Sequence, residues 1–364
     1  MSTSAYILQW GILATGGVAR DFVGDLLSDP AERGVSDVQH HVVAVGSSNS
    51  VEKAREFIHS VCGNDLDAST RAKPYGSYDE VLSGPSVSIV YIGTPQSHHY
   101  RNILNALNSG KHVCCEKPFT INSRQAEHIV EVANEKRLFV MEAVWTRFFP
   151  ITKEILNLLH MQRAIGNIKR VWADFSLKCN PYGAGRLFQP ELGGGALLDL
   201  GIYPITWAFL ALYQPNGRVP PTVKANLLMA TDYGVDESTT VSMSFEHVHA
   251  VATAETSLAA RTARPYCVII QGDKGELCVE GSCPRPRAYI LQRDGQDPIR
   301  KDFTFTGHGM HWEADACARA IRDGHIEVPE CSHQETLDVM RVLDEVRNGN
   351  GFTFPAPLED ILSS

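Results

Sequence analysis

Tyr6-Ile7-Leu8-Gln9-Trp10-Gly11-Ile12-Leu13-Ala14-Thr15-Gly16-Gly17-Val18-Ala19 is an apolar run that stops at a glycine-containing turn and passes into helical spacing over residues 18–28. A strand buried on both faces reads as a near-continuous apolar run, and strand, turn, helix is how a doubly wound α/β sheet begins. Outward from this start the same alternation continues. Residues 41–46, 87–94, 111–116 and 138–143 read as further strands, and 51–61, 78–82, 100–109 and 123–136 as helices, with Gly110 closing the third of these. Such alternation predicts a parallel sheet with helices on both faces, a Rossmann-type dinucleotide-binding domain over 1–150.

Beyond Pro150 the pattern changes. After a helix over 151–160 come longer alternating segments at 168–178, 223–231, 239–245, 251–258, 266–271, 276–280 and 288–292. Gly272-Asp273-Lys274-Gly275 is a hairpin signal between two of them. They predict an α+β domain over 151–364, built on one large, open-faced, mostly antiparallel sheet. A helix over 197–213 interrupts it, and helices over 310–323 and 334–348 follow, able to pack back on the first domain.

The chain has 364 residues, 43% hydrophobic and 21% charged, with a formal charge of −9. That suits two domains of ordinary size and gives no basic face for nucleic acid. No apolar run reads as a bilayer span, so neither nucleic acid nor membrane is an expected partner. Residues 1–13 carry no Lys or Arg and run straight into the turn, which reads as a first strand, not a leader. Nine scattered cysteines and no Asn-x-Ser/Thr site point to reduced thiols in a cytoplasmic protein.

In a dinucleotide fingerprint, glycines let the backbone approach a pyrophosphate that sits on a helix N-terminus. Here the three fingerprint positions are Ala14, Gly16 and Ala19, with Thr15, Gly17 and Val18 completing the turn. Alanine at the first position degrades the pattern, and a simple tight turn is the competing reading. After the second strand comes Ser47-Ser48-Asn49, with no carboxylate for a ribose 2′-hydroxyl. A fixed negative charge there would repel a 2′-phosphate, so its lack favours NADP, with Lys53 and Arg20 near enough in sequence to screen it. A polar turn of no consequence is the alternative.

Chemistry enters with Cys114-Cys115-Glu116-Lys117-Pro118-Phe119. Lysine seldom ends a buried strand unless its charge is used, and the proline after it denies Lys117 a helical conformation. Thr94-Pro95 ends the neighbouring strand, so both belong in the crevice at the strand C-termini. His99 follows, either touching substrate or the nicotinamide ribose or merely starting a helix; no Cys/His partner stands at metal-site spacing. A third motif runs Gly193-Gly194-Gly195-Ala196-Leu197-Leu198-Asp199-Leu200-Gly201-Ile202-Tyr203-Pro204. Asp199 and Tyr203, four apart, share a helix face. Oxidising an alcohol requires loss of a hydride and a proton. Tyr203 could take the proton if Lys117 lowers its pKa, and Asp199 could orient the lysine or bind a hydroxyl.

These motifs together resemble the Gfo/Idh/MocA oxidoreductases over nearly the whole chain. Met141-Glu142-Ala143-Val144-Trp145-Thr146-Arg147-Phe148-Phe149-Pro150 and Arg186-Leu187-Phe188 are similar to the branch that holds the dimeric dihydrodiol dehydrogenases and the fungal NADP-dependent D-xylose 1-dehydrogenases. The resemblance implies Lys117 and Tyr203 as catalytic groups, with Glu116, Trp145 and Arg147 bordering the cofactor. It also implies a homodimer through the open sheet, in keeping with too few helices to cover both of its faces. The leading expectation is oxidation of a pyranose such as D-xylose to its lactone, with trans-dihydrodiols of arenes as alternative substrates. A non-catalytic NADP-sensing regulator is the reading of another class, disfavoured by the presence of Lys117, Asp199 and Tyr203 together.

Overall fold

The computed structural model describes residues 5–63, 66–180, 185–213, 217–263 and 265–362. Six strands form the first sheet: β1 (Tyr6–Leu13), β2 (Val38–Gly46), β3 (Lys73–Tyr75), β4 (Ile89–Ile92), β5 (His112–Glu116) and β6 (Val140–Ala143). All pair in parallel, in the order β3-β2-β1-β4-β5-β6. That is the doubly wound order, whose reversal between β1 and β4 opens a crevice at the strand C-termini. The register sets what faces it. Leu13 lies opposite both Gly46 and Ile92, Cys115 opposite Ile92, and Glu116 opposite Ala143. Ala14, Ser47, Gly93, Lys117 and Val144 therefore leave the sheet along a single edge.

Helices α1 (Gly17–Leu26), α2 (Val51–Cys62), α3 (Leu66–Arg71), α4 (Tyr78–Leu82), α5 (His99–Asn108) and α6 (Ser123–Lys136) connect these strands. The last keeps the bounds its sequence predicts: Asn122 caps it by accepting from the Gln125 amide, and Arg137 ends it in the left-handed region.

After α7 (Pro150–Leu156) the second sheet has eight strands, β7 (Ile168–Asp174), β8 (Thr222–Met229), β9 (Asp236–Phe245), β10 (Ala250–Ser257), β11 (Tyr266–Gly272), β12 (Gly275–Ser282), β13 (Arg285–Arg293) and β14 (Ile299–Asp302). Their order is β14-β13-β12-β11-β7-β10-β9-β8, antiparallel except for the β7–β10 pair. One face is covered by α8 (Ile202–Leu212), apolar all round and buried at every position. The other face is open: Leu228 is 62% and Val251 45% exposed. Pro190–Leu212 is long and apolar enough to cross a membrane by composition, contrary to the sequence reading, but residues 193–212 are all buried in the protein core.

The late helices α9 (His311–Arg322) and α10 (His333–Gly349) return. Asp315 of α9 binds His40 of β2 and Arg33, both at 2.9 Å, and the amides of His308, Gly309 and Met310 donate to Asp25 of α1. Met310, at the N-terminus of α9, thereby comes to line one cavity with Glu116, Lys117 and Asp199.

Further details depart from the sequence reading, which had no helix at α3. Strands β3 and β14 are too short and too polar or exposed to show a period. The expected helix over 197–213 is split: Leu197–Gly201 winds as a wide π turn before α8. Pro204 has no N–H for the carbonyl four residues back, so an ordinary α ladder cannot pass through this turn.

Candidate active site

A cavity of about 560 Å³ opens at the strand C-termini, lined among others by Gly16, Thr94, Glu116, Lys117, Trp145, Arg186, Asp199 and Tyr203. The turn after β1 supplies its floor. Gly16 caps α1 without any side-chain bond, and a Cβ built on Gly16 or Gly17 would meet nothing within 4 Å. Open space above the N-terminus of a ten-residue helix, with its first amides unused, fits a dinucleotide pyrophosphate. Val18 also lines the cavity. Ala14 and Thr15 shape the turn, with the Ala14 amide donating to Gly46 at 3.2 Å. Ala19 packs behind it: a Cβ on Gly93 would lie 3.4 Å from that of Ala19. Alanine is thus accepted where close helix–strand packing is needed.

Ser47, Ser48 and Asn49 follow β2, one strand over from this turn, with Ser47 buried and the other two exposed. None of these three residues is a carboxylate. Arg20 does not reach toward it; its guanidinium lies over the Phe57 ring at 5.7 Å and binds Ser60.

The chemical groups converge from three elements. Lys117, at the end of β5, donates to the backbone carbonyl of Asp199 at 2.7 Å and to its carboxylate at 3.3 Å. Its ammonium lies 5.1 Å from the Tyr203 ring centroid. Trp145 Nε1 donates to the Tyr203 hydroxyl at 3.2 Å. That hydroxyl accepts from the indole, and its own hydrogen is left for the cavity. Beneath them Tyr91 donates to Glu116 at 2.6 Å. Burial pushes the Glu116 carboxyl above its ordinary value. Burial likewise opposes the charge of Asp199, but Lys117 and Arg186 outweigh it and hold that carboxyl below the usual range.

Three expectations are corrected here. Tyr203 is not acidified: burial first, then the Glu116 charge, hold its phenol well above the ordinary tyrosine value. Lys117 presents its charge to the ring face of Tyr203 and gives its hydrogen bonds to Asp199, so the phenolate gains little. His99 lines the cavity, but both ring nitrogens lie 2.9 Å from backbone carbonyls, of Pro118 and Thr94. Burial lowers its pKa to about 4, so the ring is neutral, and its single N–H donates to one of these two carbonyls while both nitrogens lie against the ends of β4 and β5. Arg147 does not border the cavity. It is 2% exposed, and its guanidinium is paired at 2.5 Å with Glu335 of α10. Thr94 is held by Asn102 at 3.2 Å, and Pro95 and Trp145 line the cavity as expected.

Sequence reasoning missed Gln96, Arg186 and Met310, which also line it. Gln96 stands directly after Thr94-Pro95, and Arg186 in a motif marked only as a branch feature, so the signals were present but unassigned. Part of the substrate loop expected over 179–189, residues 181–184, lies outside the described residues.

Six parallel strands in doubly wound order, an open helix N-terminus and a lysine–tyrosine pair at the strand ends define a dinucleotide-binding oxidoreductase. Residues 8–144 match the model of the oxidoreductase family with NAD-binding Rossmann fold, and 157–278 match the GFO/IDH/MocA C-terminal domain; the chain belongs to the GFO/IDH/MocA family. Over 97% of its length it is 41% identical to 95% of the D-xylose 1-dehydrogenase (NADP(+)) of Hypocrea jecorina. Over 95% of its length it is 34% identical to 98% of the trans-1,2-dihydrobenzene-1,2-diol dehydrogenase of Danio rerio. Among solved structures, KijD10, a 3-ketoreductase from Actinomadura kijaniata in complex with NADP and TDP-benzene, shares the fold with a TM-score of 0.78 at 24% identity, over 94% of this chain and 97% of that one.

Proposed function

We propose that this protein is an NADP-dependent dehydrogenase that oxidises a ring hydroxyl, with D-xylose or a related pyranose, converted to its lactone, as leading substrate. The observation that carries the reading is Lys117, Asp199 and Tyr203 gathered at the strand ends beside an open helix N-terminus. The 41% identity to a D-xylose 1-dehydrogenase supports the pyranose, and the 34% identity to a dihydrodiol dehydrogenase supports cyclic trans-diols as second substrates. When bound, the nicotinamide supplies the hydride-accepting chemistry.

The chain's own residues bind, orient and move the proton. Gly16, Gly17 and Val18 would hold the pyrophosphate, and Ser47, Ser48 and Asn49 the 2′-phosphate. Trp145 fixes the Tyr203 hydroxyl from one side, leaving its hydrogen for the substrate oxygen. As it stands Tyr203 is a proton donor, suited to carbonyl reduction. For alcohol oxidation it must first lose that proton. Lys117, held by Asp199, stands against the Tyr203 ring, where its charge can stabilise developing negative charge on the substrate oxygen.

A panel of D-xylose, D-glucose and a trans-dihydrodiol, followed by NADPH absorbance, tests the reading; no absorbance change with any of them overturns it. The acid-free turn also supports NADP over NAD. At least tenfold tighter binding, about 1.4 kcal/mol, is expected by fluorescence titration, and Ser48→Asp should shift the preference toward NAD.

The open sheet face, with Leu228, Val251 and Trp172 on it, supports a homodimer. Light scattering showing a monomer at micromolar concentration is the contrary result. A cytoplasmic location is supported by nine free cysteines, eight of them buried thiols. Fractionation or imaging of the tagged protein tests it.

A further inference from the structure

Asp199 Oδ1 is shared by two cations, Lys117 Nζ at 3.3 Å and Arg186 at 2.8 Å. The two differ in kind. Lys117 is 12% exposed and has a second, closer anchor on the Asp199 carbonyl; Arg186 is 48% exposed and binds the carboxylate alone. A guanidinium carries five N–H donors in a planar fork. Among the described residues Asp199 is the only hydrogen-bond partner of that fork, and Arg186 lines the same cavity as Lys117 and Tyr203, leaving donors free for a ligand there. The second carboxylate oxygen of Asp199 likewise has no partner among the described residues.

The position of Arg186 is built by the glycine run. The Gly195 amide donates to the Leu187 carbonyl at 2.9 Å and the Gly194 amide to Gln189 at 3.0 Å. A Cβ on Gly194 would lie 2.7 Å from the Arg186 carbonyl and 2.6 Å from that of Leu187. Only glycine permits this approach. The turn Gly185–Phe188 is thereby seated on the segment that leads into Asp199, with Leu187 and Phe188 buried beneath it.

We propose that Arg186 is a specificity-determining residue: with Asp199 it forms a donor–acceptor pair that recognises a second hydroxyl next to the reacting one on a neutral ring substrate. The hydroxyl accepts from the guanidinium and donates to the carboxylate. A ring lacking that hydroxyl meets only Lys117 and Tyr203 and leaves the pair unused. A site built to bond a hydroxyl rejects the analogue without it because its polar groups are left unmatched. The assignment rests on the dehydrogenase reading above.

The test compares wild type, Arg186→Met and Arg186→Lys with D-xylose and with a pyranose lacking the hydroxyl next to the reacting carbon. For Arg186→Met the KM for D-xylose should rise at least tenfold, a larger change than in kcat, while the KM for the deoxy sugar changes less than threefold. Arg186→Lys should recover part of the loss. Unchanged NADP affinity by fluorescence shows that the fold is intact. Equal changes for both sugars, or a fall in kcat alone, would overturn the proposal in favour of a role in holding Asp199. Should the wild type oxidise neither sugar, the dehydrogenase reading fails separately. Calorimetric binding of D-xylose to the NADP complex then decides: no binding, or equal binding by wild type and Arg186→Met, overturns the assignment of Arg186.

Discussion

The Lys117 ammonium lies 2.7 Å from the backbone carbonyl of Asp199, closer than the 3.3 Å to the carboxylate of the same residue. The anchor that places the lysine is therefore independent of the Asp199 side chain. Asp199→Asn removes the charge but leaves that carbonyl. It should reduce kcat less than Lys117→Met does, and its larger effect should fall on KM. Lys117→Met should cost about 10²-fold or more in turnover, since it removes the charge facing the substrate oxygen. Steady-state kinetics of both variants checks this, and equal losses in kcat would show that the carboxylate is needed to aim the lysine.

The Tyr203 phenol is kept protonated by burial and by Glu116. A general base with a raised pKa is scarce in its active form at neutral pH. The rate of alcohol oxidation should accordingly rise with pH through the neutral range without levelling off below the ordinary tyrosine value. The reverse reduction, which uses the protonated phenol, should hold its rate over the same range. Tyr203→Phe should lower both directions by about 10²–10⁴-fold and remove the slope, with NADP affinity kept. An oxidation rate already flat at pH 7 would show that another group carries the proton.

Much of the site was legible because its residues are chemically out of place. Lys117 ends an apolar strand, and Asp199 and Tyr203 interrupt an apolar helix, so each announces a use for its polarity. The parallel sheet was legible for the related reason that strands buried on both faces read as apolar blocks. Arg147 was misplaced because its partner Glu335 lies far away in the chain, and no local pattern distinguishes an arginine facing a cofactor from one paired inside the core. His99 was misjudged similarly, since its two carbonyl neighbours are backbone atoms whose position only the folded sheet determines. The direction of the Tyr203 shift depends on Glu116 and on burial, and neither is visible from the spacing of Lys117 and Tyr203.

Ala14 occupies the first fingerprint position with φ of +108°, a conformation that favours glycine. The turn after β1 thus carries backbone strain. Ala14→Gly should relieve it and stabilise the fold by about 1 kcal/mol, a rise in Tm of about 2 °C. Ala14→Val, branched at Cβ, should be less stable than wild type. Thermal unfolding of the three proteins should give the order glycine, alanine, valine; any other order would mean that the strain is taken up elsewhere.

Glu313 of α9 is fully buried, and neither of its carboxyl oxygens has a hydrogen-bond partner among the described residues. Cys114 and Glu116 of β5 and Asp25 of α1 face it, and its charge in turn bears on Tyr91 of β4 and Tyr203 of α8. Burial, with those neighbours adding to it, pushes its pKa well above the ordinary 4.5. The folded protein keeps this proton at pH values where the unfolded chain has lost it. With more protons bound in the native state, stability falls as pH rises above the unfolded value toward the folded one. Glu313→Leu, of similar size and without a buried polar group, should therefore stabilise the protein by about 1–3 kcal/mol at pH 8 and by less at pH 5. Buried carboxyls that do not face it, such as Glu142 with a pKa of about 7, titrate in both proteins alike and cancel in the difference between wild type and variant. Denaturant unfolding at the two pH values measures that difference, and a gain that stays constant from pH 5 to pH 8 would show that Glu313 does not hold its proton through folding.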